Sequence, residues 1–541
     1  MSSESSQVFL IGCGPGGPAA GGVEVMGFKA FNLARMAQLG IPVPPAFVLG
    51  TRWCGDFLAS GGHLSDAARN QVRSCVRYLE HDSGLGFGSQ RRPLLLSVRS
   101  GAPVSMPGML DTVLNVGLCD STIPGLLRLT GNPRLAWDSY RRLVLSFAEV
   151  VKGVEPAVFN GVLREVLRSQ RVERVEMLDF RGLRELTARQ LEAYATAVGE
   201  SFPQSPAEQL DAAVAAVFAS WNSAKAVAYR RASRIADDLG TAVTVQRMVF
   251  GNSGGNSGAG VAFTRDPATG EDALYLDFAF NAQGEDVVSG RTALEHGQNL
   301  SVRMPEVSAE LQRLKALLER EFRDAQEFEF TVENGRLLLL QTRAAKRTPL
   351  AALRIAVEQL DSGLITPAEA RRHLEAVDLA AIEIVQLTGS DGAVPLATGI
   401  AASVGVACGQ IVLDPERVVR FAQSGAPVLL VREDMATSDV VAIHTAVGIL
   451  TAHGGRTSHA AVVARQLGKP CIVGCNELRV AADGRTCSLG GRTMHEGEVL
   501  SLDANTGTVF AGEPRVRRER PTALLDRLDH HLSVQAAPGC E

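Results

Sequence analysis

The sequence predicts a multidomain protein in which helices alternate with β-strands. Its 541 residues are more than one hydrophobic core usually holds, so about three domains are expected. Helical stretches such as 138–152 and 210–231 alternate with strand-like runs such as 94–98 and 243–245. From about Gly389 the composition shifts to short segments rich in Val, Gly and Ala. The predicted fold class is therefore a multidomain mixture of α/β and α+β architectures.

Changes in composition divide the chain into regions of different predicted structure. Thr366, Pro367 and Glu369 combine a capping box with a proline at the first helical position, which predicts a helix between two larger regions. The end of the chain carries several arginines and an amphipathic helical pattern, and we expect it to be a surface or partner-docking segment. The predicted regions are a mixed α/β domain with subdomains at 1–345, a helical linker at 346–388, a second domain at 389–512 and a tail at 513–541.

The overall composition is that of a soluble cytoplasmic protein. Hydrophobic residues make up 45% and charged residues 21% of the chain, and the net charge of −5 argues against broad nucleic-acid binding. The nine cysteines are scattered without metal-ligand or disulfide spacing, as expected for reduced thiols. No Lys or Arg precedes Lys29, so no targeting peptide is expected. The uncharged run 393–413 contains proline and glycines, which argues against a membrane span.

The most informative stretch is 454–465, in which two glycines lead to a histidine at the start of a predicted helix. Residues 460–467 are helix formers and apolar residues, and Thr457 or Ser458 can cap the first turn. The unpaired N–H groups and the dipole of a helix N-terminus favour negative charge. His459 at this position could therefore receive a phosphoryl group. The alternative is a histidine that only caps or packs, which is the commoner role for an isolated His near a helix start.

Several segments of the first region suit phosphate binding. Lys29 lies in the first turn of a predicted helix, where a cation is unfavourable unless an anion is bound nearby. Arg99 lies at a strand end beside small residues and could hold phosphate. The glycine-rich stretch 251–260, which includes Gly254 and Gly258, could fold its amides over a polyphosphate. Surface ion pairs and a flexible hairpin are the alternatives.

An alternating Glu-Phe-Glu-Phe-Thr-Val stretch begins at Glu327, so Glu327 and Glu329 share one strand face, as a Mg²⁺ site requires. An Asn-Gly turn and a second strand follow. A two-residue turn puts Gln341 on the face opposite Glu329, whereas a three-residue loop places Gln341 and Arg343 with both glutamates. A catalytic role predicts the longer loop, although Asn-Gly favours the shorter one. A merely solvated acidic strand is the alternative.

Taken together and in order, these segments resemble the pyruvate phosphate dikinase family. Stretch 454–465 matches the family's Gly-Gly-Met-Thr-Ser-His-Ala-Ala-Val-Val-Ala-Arg at every position except Arg456, where the family has methionine. The resemblance extends from about residue 22 to residue 512. Further departures are Phe28 for glycine, Glu327 for aspartate, and a Gly-Asn pair at 255–256 for Glu-Thr. Other matching segments are 97–102, 131–134, 260–265, 281–286 and 340–343.

The resemblance implies an ATP-grasp nucleotide-binding domain, followed by the helical linker and a swivelling β/β/α phosphohistidine domain. It also implies a role for Thr457, which occupies the regulatory phosphothreonine position of plant members, although we expect a helix cap there instead. The implied site residues are Lys29, Arg99, Arg134, Gly254, Gly258, Glu329 and Gln341 for nucleotide and phosphate, Glu327, Glu329 and Gln341 for metal, and Arg99, Arg343 and His459 for catalysis.

The implied activity is phosphoryl transfer with ATP as substrate and Mg²⁺ as cofactor. His459 would attack the β-phosphorus of ATP and release AMP, and the terminal phosphoryl group would then pass to inorganic phosphate. In the family a TIM barrel that binds pyruvate follows, which needs about 250 residues. Only a short tail follows Gly512, so we expect pyruvate or another acceptor to be bound by a separate protein.

Two alternatives to this dikinase activity remain. The protein could be a phosphorelay or regulatory carrier that stores a phosphoryl group on His459, or a degenerate relative that only binds nucleotide. Joint retention of the residues with implied chemical roles argues against the degenerate relative. These residues are Lys29, Arg99, Glu329, Gln341, Arg343 and His459.

Overall fold

The chain folds into two compact units. The computed structural model describes residues 7–12, 21–104, 106, 109–288, 295–388, 394–436, 439–481 and 483–534. The first unit comprises residues 1–257 and 331–342, and the second comprises 258–330 and 343–541. The second unit thus combines part of the predicted nucleotide-binding region with the predicted linker, second domain and tail. The boundaries predicted at 345, 388 and 512 stay a prediction.

An antiparallel five-stranded sheet lies at the centre of the first unit. Its strands are β1 (Val8–Ile11), β2 (Ala46–Leu49), β5 (Leu96–Gly101), β6 (Thr112–Val116) and β7 (Ala242–Arg247). A separate short parallel pair is formed by β3 (Gly86–Phe87) and β4 (Pro93–Leu94). The strand order is β1-β2-β7-β5-β6. Every residue of β2 is buried, as its unbroken apolar sequence predicts.

The described part of the first unit also contains ten α-helices. They are α1 (Val23–Met26), α2 (Phe28–Gln38), α3 (Thr51–Ala59), α4 (Asp66–Ser83), α5 (Ile123–Thr130), α6 (Pro133–Lys152), α7 (Pro156–Gln170), α8 (Phe180–Val198), α9 (Pro206–Ala219) and α10 (Ala224–Ser233). Of these, α2, α3, α6 and α9 contact strands of this sheet. Helix α6 begins with a proline after Asn132, whose side chain accepts a hydrogen bond from the amide of Leu135 at 3.0 Å. Its apolar face buries Val144 and Phe147 in a core shared with Val98 of β5.

A second five-stranded sheet contains the predicted acidic strand. Its elements are β8 (Gly258–Phe263), β9 (Tyr275–Phe280), α11 (Gly284–Val288), β10 (Glu295–His296), α12 (Gly297–Arg303), α13 (Pro305–Phe322), β11 (Gln326–Glu333) and β12 (Arg336–Ala344). The strand order is β10-β9-β8-β11-β12. Strands β8 and β9 belong to the second unit, and the division between the units falls within β11 and β12.

The predicted linker and tail pack against each other. Their elements are α14 (Pro349–Asp361), α15 (Pro367–Leu374), β13 (Ile384–Thr388), β25 (Arg515–Glu519) and α19 (Thr522–Val534). Strand β13 pairs antiparallel with β25, and Leu528 of α19 is buried in a cluster with Leu353 and Val357 of α14. The capping box predicted at Thr366 is present. The tail thus packs on the linker through α19, while every residue of β25 is exposed, as expected for a surface segment. A partner-docking role for the tail stays a prediction.

The region around His459 has three layers. An eight-stranded sheet is formed by β14 (Ala397–Thr398), β15 (Ile400–Ser403), β16 (Val406–Val412), β17 (Val428–Arg432), β18 (Gly448–Thr451), β19 (Cys471–Val473), β23 (Val499–Asp503) and β24 (Thr508–Ala511). The second layer is a three-stranded sheet of β20 (Leu478–Val480), β21 (Thr486–Leu489) and β22 (Arg492–His495). The third consists of α16 (Pro415–Ala422), α17 (Val440–Thr445) and α18 (His459–Gln466).

Separate hydrophobic cores lie on the two faces of the eight-stranded sheet. Strands β16 to β19 are parallel neighbours, and their connections contain α16, α17 and α18. One core joins Leu429 and Leu450 to Met494 of the small sheet, and the other joins Leu430 to Ala461 of α18. Because successive side chains of a strand point to opposite faces, the near-continuous apolar strands fill both cores. The predicted β/β/α arrangement is confirmed.

None of the helices in the described part of the chain is both long and apolar enough to cross a membrane.

Candidate functional site

Lys29, Arg99 and Gln341 line one narrow cavity in the first unit. Lys29 lies in the first turn of α2, and Arg99 lies in the middle of β5 opposite Thr244. Gly27 permits their approach, because it has a φ of 75° and a Cβ there would lie 1.8 Å from the carbonyl oxygen of Gly101. These three predicted site residues are therefore brought together by the fold.

Polar groups that sequence reasoning missed complete this cavity. Thr244 and Gln246 of β7 line it beside the two cations. Asn32, one turn after Lys29 on α2, donates from its buried Nδ2 to the carbonyl oxygen of Thr342 at 3.0 Å. This bond ties β12, and with it Gln341, to the helix that carries Lys29. Two cations beside hydroxyl and amide groups form a chemically suitable site for the oxygens of a phosphate chain.

Glu327 and Arg343 form an ion pair in the second unit. Arg343 Nη2 donates to Glu327 Oε1 at 2.5 Å, and the Glu327 side chain is only 6% exposed. Burial alone would lower the pKa of Arg343, but the carboxylates of Glu327 and Glu329 outweigh it and raise that pKa above its ordinary value. The guanidinium therefore stays charged, and its charge offsets that of the glutamates.

The turn between β11 and β12 has two residues, so the longer loop predicted from the catalytic interpretation is wrong. Asn334 and Gly335 have φ values of 51° and 82°. Positive φ at both central residues is the type I′ geometry that Asn-Gly favours, and local backbone preference decides the loop. Glu327 and Arg343 are in contact although the loop is the shorter one, so their contact does not require the longer loop.

The glycine-rich stretch is a shorter loop than its sequence suggested. Gly254 lies in the loop with a φ of 131°, whereas Gly258 is the first residue of β8. A Cβ at Gly258 would lie 2.1 Å from Cζ of Phe278 and 2.7 Å from the carbonyl oxygen of Ala279. Close packing between strands therefore accounts for this glycine, and its assignment to phosphate binding stays a prediction.

Hydrogen bonds hold this loop against the β11–β12 turn. The amide of Phe250 donates to Oε1 of Glu333 at 2.8 Å, and the amide of Gly335 donates to the carbonyl oxygen of Asn256 at 2.7 Å. Nδ2 of Asn132 donates to the carbonyl oxygen of Asn252 at 3.2 Å. The loop is thus fixed at both of its ends, and the flexible hairpin considered as an alternative does not describe it.

Arg134 is not brought to the cavity that contains Lys29. It lies in the first turn of α6, where its guanidinium donates to the carbonyl oxygens of Leu178 and Glu176, the latter at 2.9 Å. These bonds direct Arg134 toward the connection that precedes α8. Its assignment to nucleotide binding stays a prediction.

His459 is the first residue of α18 and follows the carboxyl end of β18. The carboxyl ends of parallel strands are where α/β sheets commonly place their sites. Gly454, with a φ of 104°, allows the connecting turn, and Ser458 Oγ accepts from the amide of Ala461 at 3.5 Å as the N-cap. The first helical turn therefore presents backbone N–H groups beside the imidazole.

The surroundings of His459 favour its neutral form. Burial lowers the pKa of the imidazole below 6.5, and the carboxylate of Asp439, at the start of α17, opposes this effect. Among the residues that the structure describes, Nε2 of His459 is shielded from solvent and has no hydrogen-bond partner. A neutral, unpaired ring nitrogen is the state that a nucleophilic histidine needs.

Thr457 is buried and does not cap α18. Its hydroxyl has no hydrogen-bond partner within the described ranges, because Ser458 takes the cap position. The helix cap expected at Thr457 is corrected accordingly. The buried hydroxyl is also not presented to another protein in this arrangement, so the regulatory role implied for Thr457 stays a prediction.

The acidic residues suit a metal ion that is carried by a nucleotide better than an independent metal site. In the described part of the chain, no three His, Cys, Asp or Glu side chains form a cluster that could hold a metal by themselves. Mg²⁺ bound to a nucleotide needs only one or two carboxylates, because phosphates and waters supply the remaining ligands. Glu327 and Glu329, two residues apart on β11, fit that requirement.

Comparison with known proteins finds one match in the region that contains Arg99 and another in the region that contains His459. Residues 62–296 match the domain described as "Pyruvate phosphate dikinase, AMP/ATP-binding domain". Residues 425–507, which include His459, match "PEP-utilising enzyme, mobile domain". The chain is similar to the pyruvate, phosphate dikinases. The predicted combination of an ATP-binding domain and a mobile domain is confirmed.

Similarity to individual pyruvate, phosphate dikinases extends over nearly the whole chain. The chain is 40% identical to "Pyruvate, phosphate dikinase" of Clostridium symbiosum over 516 residues, 93% of this chain and 58% of that protein. Identity to the Rhizobium meliloti (strain 1021) protein is 41%, over 94% of this chain and 58% of the relative. For "Pyruvate, phosphate dikinase 2" of Zea mays it is 42%, over 98% and 60%. The chain thus spans less than two thirds of these relatives.

Proposed function

We propose that this protein is an ATP-dependent dikinase that phosphorylates its own His459. The observation that carries the proposal is the position of His459, a neutral imidazole at the capped start of a helix, within the matched mobile domain. Residues 62–296 match an AMP/ATP-binding domain, which supports ATP as the phosphoryl donor. A nucleophile and a nucleotide-binding domain in one chain are what autophosphorylation requires.

The proposed reaction proceeds in two steps. The neutral imidazole of His459 attacks the β-phosphorus of ATP, the bond to the α-phosphate oxygen breaks, and AMP leaves with that oxygen. Inorganic phosphate then attacks the terminal phosphorus of the pyrophosphohistidine, which yields pyrophosphate and leaves one phosphoryl group on the imidazole. Helix α18 would stabilise the added negative charge through the N–H groups of its first turn.

Cationic side chains would neutralise the phosphates during transfer. Lys29 and Arg99 are proposed to hold phosphate oxygens in the cavity that they share with Gln341. Arg343 is proposed to lie beside the transferred group. Glu327 and Glu329 would hold Mg²⁺ with the nucleotide, and the ion would supply additional charge neutralisation.

Pyruvate is the proposed final acceptor, since it is named in the relatives' descriptions. The acceptor site is proposed to lie outside the two matched regions, and we propose that a separate protein presents the acceptor to phosphorylated His459. Release of label from phosphorylated protein on addition of pyruvate alone would contradict a requirement for that second protein.

Incubation with Mg²⁺ and ATP labelled at the β-phosphate tests the proposal. The wild type is expected to acquire acid-labile, base-stable label and to release AMP, whereas His459→Asn acquires none. His453→Asn provides a matched control, because His453 is exposed and pairs with Asp434 at 3.1 Å six residues before the proposed nucleophile. Absence of label from a wild type that binds ATP, or equal labelling of His459→Asn, would contradict the proposed function.

A further inference from the structure

Two arginines near His459 contact a pair of aromatic rings on the second five-stranded sheet. The guanidinium of Arg456 lies over the ring of Tyr275 in β9, 4.2 Å from its centroid. The guanidinium of Arg465 lies 5.5 Å from the ring centroid of Phe263 in β8. The two rings themselves pack edge to face, with centroids 6.2 Å apart. These four side chains, all in the second unit, are here called the arginine–aromatic latch.

The two arginines are joined to each other and to strand β15. Arg465 Nη1 donates to the carbonyl oxygen of Arg456 at 2.7 Å and to that of Ala402 at 3.1 Å. Nε of Arg456 donates to the carbonyl oxygen of Ala401 at 3.0 Å. The segment that carries His459 therefore presents both guanidinium groups in fixed positions, and a shift of this segment relative to β8 and β9 would separate both from their rings.

Burial of the two guanidinium groups is opposed by desolvation and favoured by their aromatic and acidic neighbours. Arg465 is completely buried, and desolvation lowers the pKa of its guanidinium although the carboxylate of Glu327 acts in the opposite direction. Desolvation likewise lowers the pKa of Arg456, opposed by Asp266, which follows β8. A guanidinium over an aromatic face is attracted by the ring, and Arg456 and Tyr275 are both half-buried. The latch thus favours the arrangement in which the His459 segment contacts the sheet that continues into β11, the strand of Glu327 and Glu329.

We propose that Arg456 is a positioning residue that holds the His459 segment on strands β8 and β9 for phosphoryl transfer from ATP. This inference rests on the proposed function. A methionine side chain in place of Arg456 could contact Tyr275, but it could neither donate to Ala401 nor interact with Asp266 through a charge.

Hydrogen–deuterium exchange on the full chain tests the latch without relying on activity. Arg456→Met and Tyr275→Leu are each expected to accelerate exchange about tenfold in peptides covering β9 and residues 454–467. Tyr275→Phe retains the ring and should exchange like the wild type, while Arg456→Lys retains only the charge and should lie between. Arg492→Met is the control for loss of an arginine, since Arg492 is exposed on β22.

The tyrosine variants separate a positioning role from a purely structural one. If Arg456→Met accelerates exchange throughout β16 and β17 as well, the decision rests on Tyr275, which lies outside the His459 region. Faster exchange of 454–467 in Tyr275→Leu but not in Tyr275→Phe would then support the latch. Wild-type exchange at 454–467 in both Tyr275→Leu and Arg456→Met would overturn it.

Phosphoryl transfer provides the functional measurement. Arg456→Met is expected to label His459 about tenfold more slowly than the wild type, with unchanged affinity for ATP. An unchanged labelling rate would overturn the positioning role. If the wild type itself acquires no label, the proposed function fails, and the exchange measurement decides separately whether the latch holds the two surfaces together.

Discussion

At the level of single residues, the proposed phosphorylation depends on the protonation of His459. Burial lowers the pKa of its imidazole, and Asp439 acts in the opposite direction without overcoming the effect of burial. The imidazole is therefore unprotonated at neutral pH, as nucleophilic attack requires. Once a phosphoryl group has been added, the N–H groups of the first turn of α18 face a negative charge, which the helix dipole stabilises.

This protonation state predicts the pH dependence of labelling. Because the folded environment lowers the pKa of His459, the labelling rate should stay constant as the pH falls to 6.5 and decline about tenfold per pH unit only below the lowered pKa. Asp439→Asn should move this decline to still lower pH, because the Asp439 carboxylate raises the pKa. Initial rates of labelling from pH 5 to 8 provide the measurement. A midpoint above 6.5 in the wild type would contradict this account.

At the scale of secondary structure, the start of α18 depends on one cap. Ser458 Oγ accepts from the amide of Ala461, while the neighbouring Thr457 hydroxyl is buried without a hydrogen-bond partner in the described structure. The sequence allowed either residue to act as the cap. The choice requires the three-dimensional path of the Gly-Gly turn, which sets which hydroxyl reaches the helix amides.

The two hydroxyl residues should therefore respond differently to substitution. Ser458→Ala is expected to lower the free energy of unfolding by about 1 kcal/mol and to slow labelling, because the first turn of α18 loses its cap. Thr457→Val should remain close to the wild type in both respects, because it keeps the side-chain shape and removes a hydroxyl without a partner. Urea unfolding and initial labelling rates measure these effects. Greater destabilisation by Thr457→Val than by Ser458→Ala would show that Ser458 is not the cap of α18.

Local sequence rules predicted some elements and failed at others. The capping box at Thr366 and the helix at His459 were predicted from residues a few positions apart in the chain, and both are present. The Asn-Gly turn also follows its local preference, and the longer loop failed because a functional argument was set against that preference. The packing constraint on Gly258 could not be predicted, because it comes from the ring of Phe278 on a different strand.

At the scale of the whole molecule, the sites combine residues that are distant in sequence. Lys29 and Arg99 were identified individually, and their common cavity depends on the close approach permitted at Gly27. The contact between Arg456 and Tyr275 could not be predicted, because no periodicity or motif relates these two positions. The resemblance identified the chemical groups, whereas tertiary packing determined which of them meet.

The two matched regions contain the parts that the proposed autophosphorylation needs. Regions matching an AMP/ATP-binding domain and a mobile domain occur in one chain, and the second unit contains both strands β8 and β9 of the second five-stranded sheet and the three-layered region of His459. The arginine–aromatic latch joins these two parts within that unit. The proposed function is therefore tested most directly by a reaction that needs only these regions and no final phosphoryl acceptor.

Exchange of labelled AMP into ATP is that reaction, because it requires reversible transfer of a pyrophosphoryl group between ATP and His459. The wild type with Mg²⁺, ATP and labelled AMP should form labelled ATP without pyruvate or any second protein, and His459→Asn should form none. The His453→Asn control should exchange at the wild-type rate. Exchange that persists in His459→Asn, or its absence in a wild type that binds ATP, would contradict the assignment of His459 as the phosphoryl carrier.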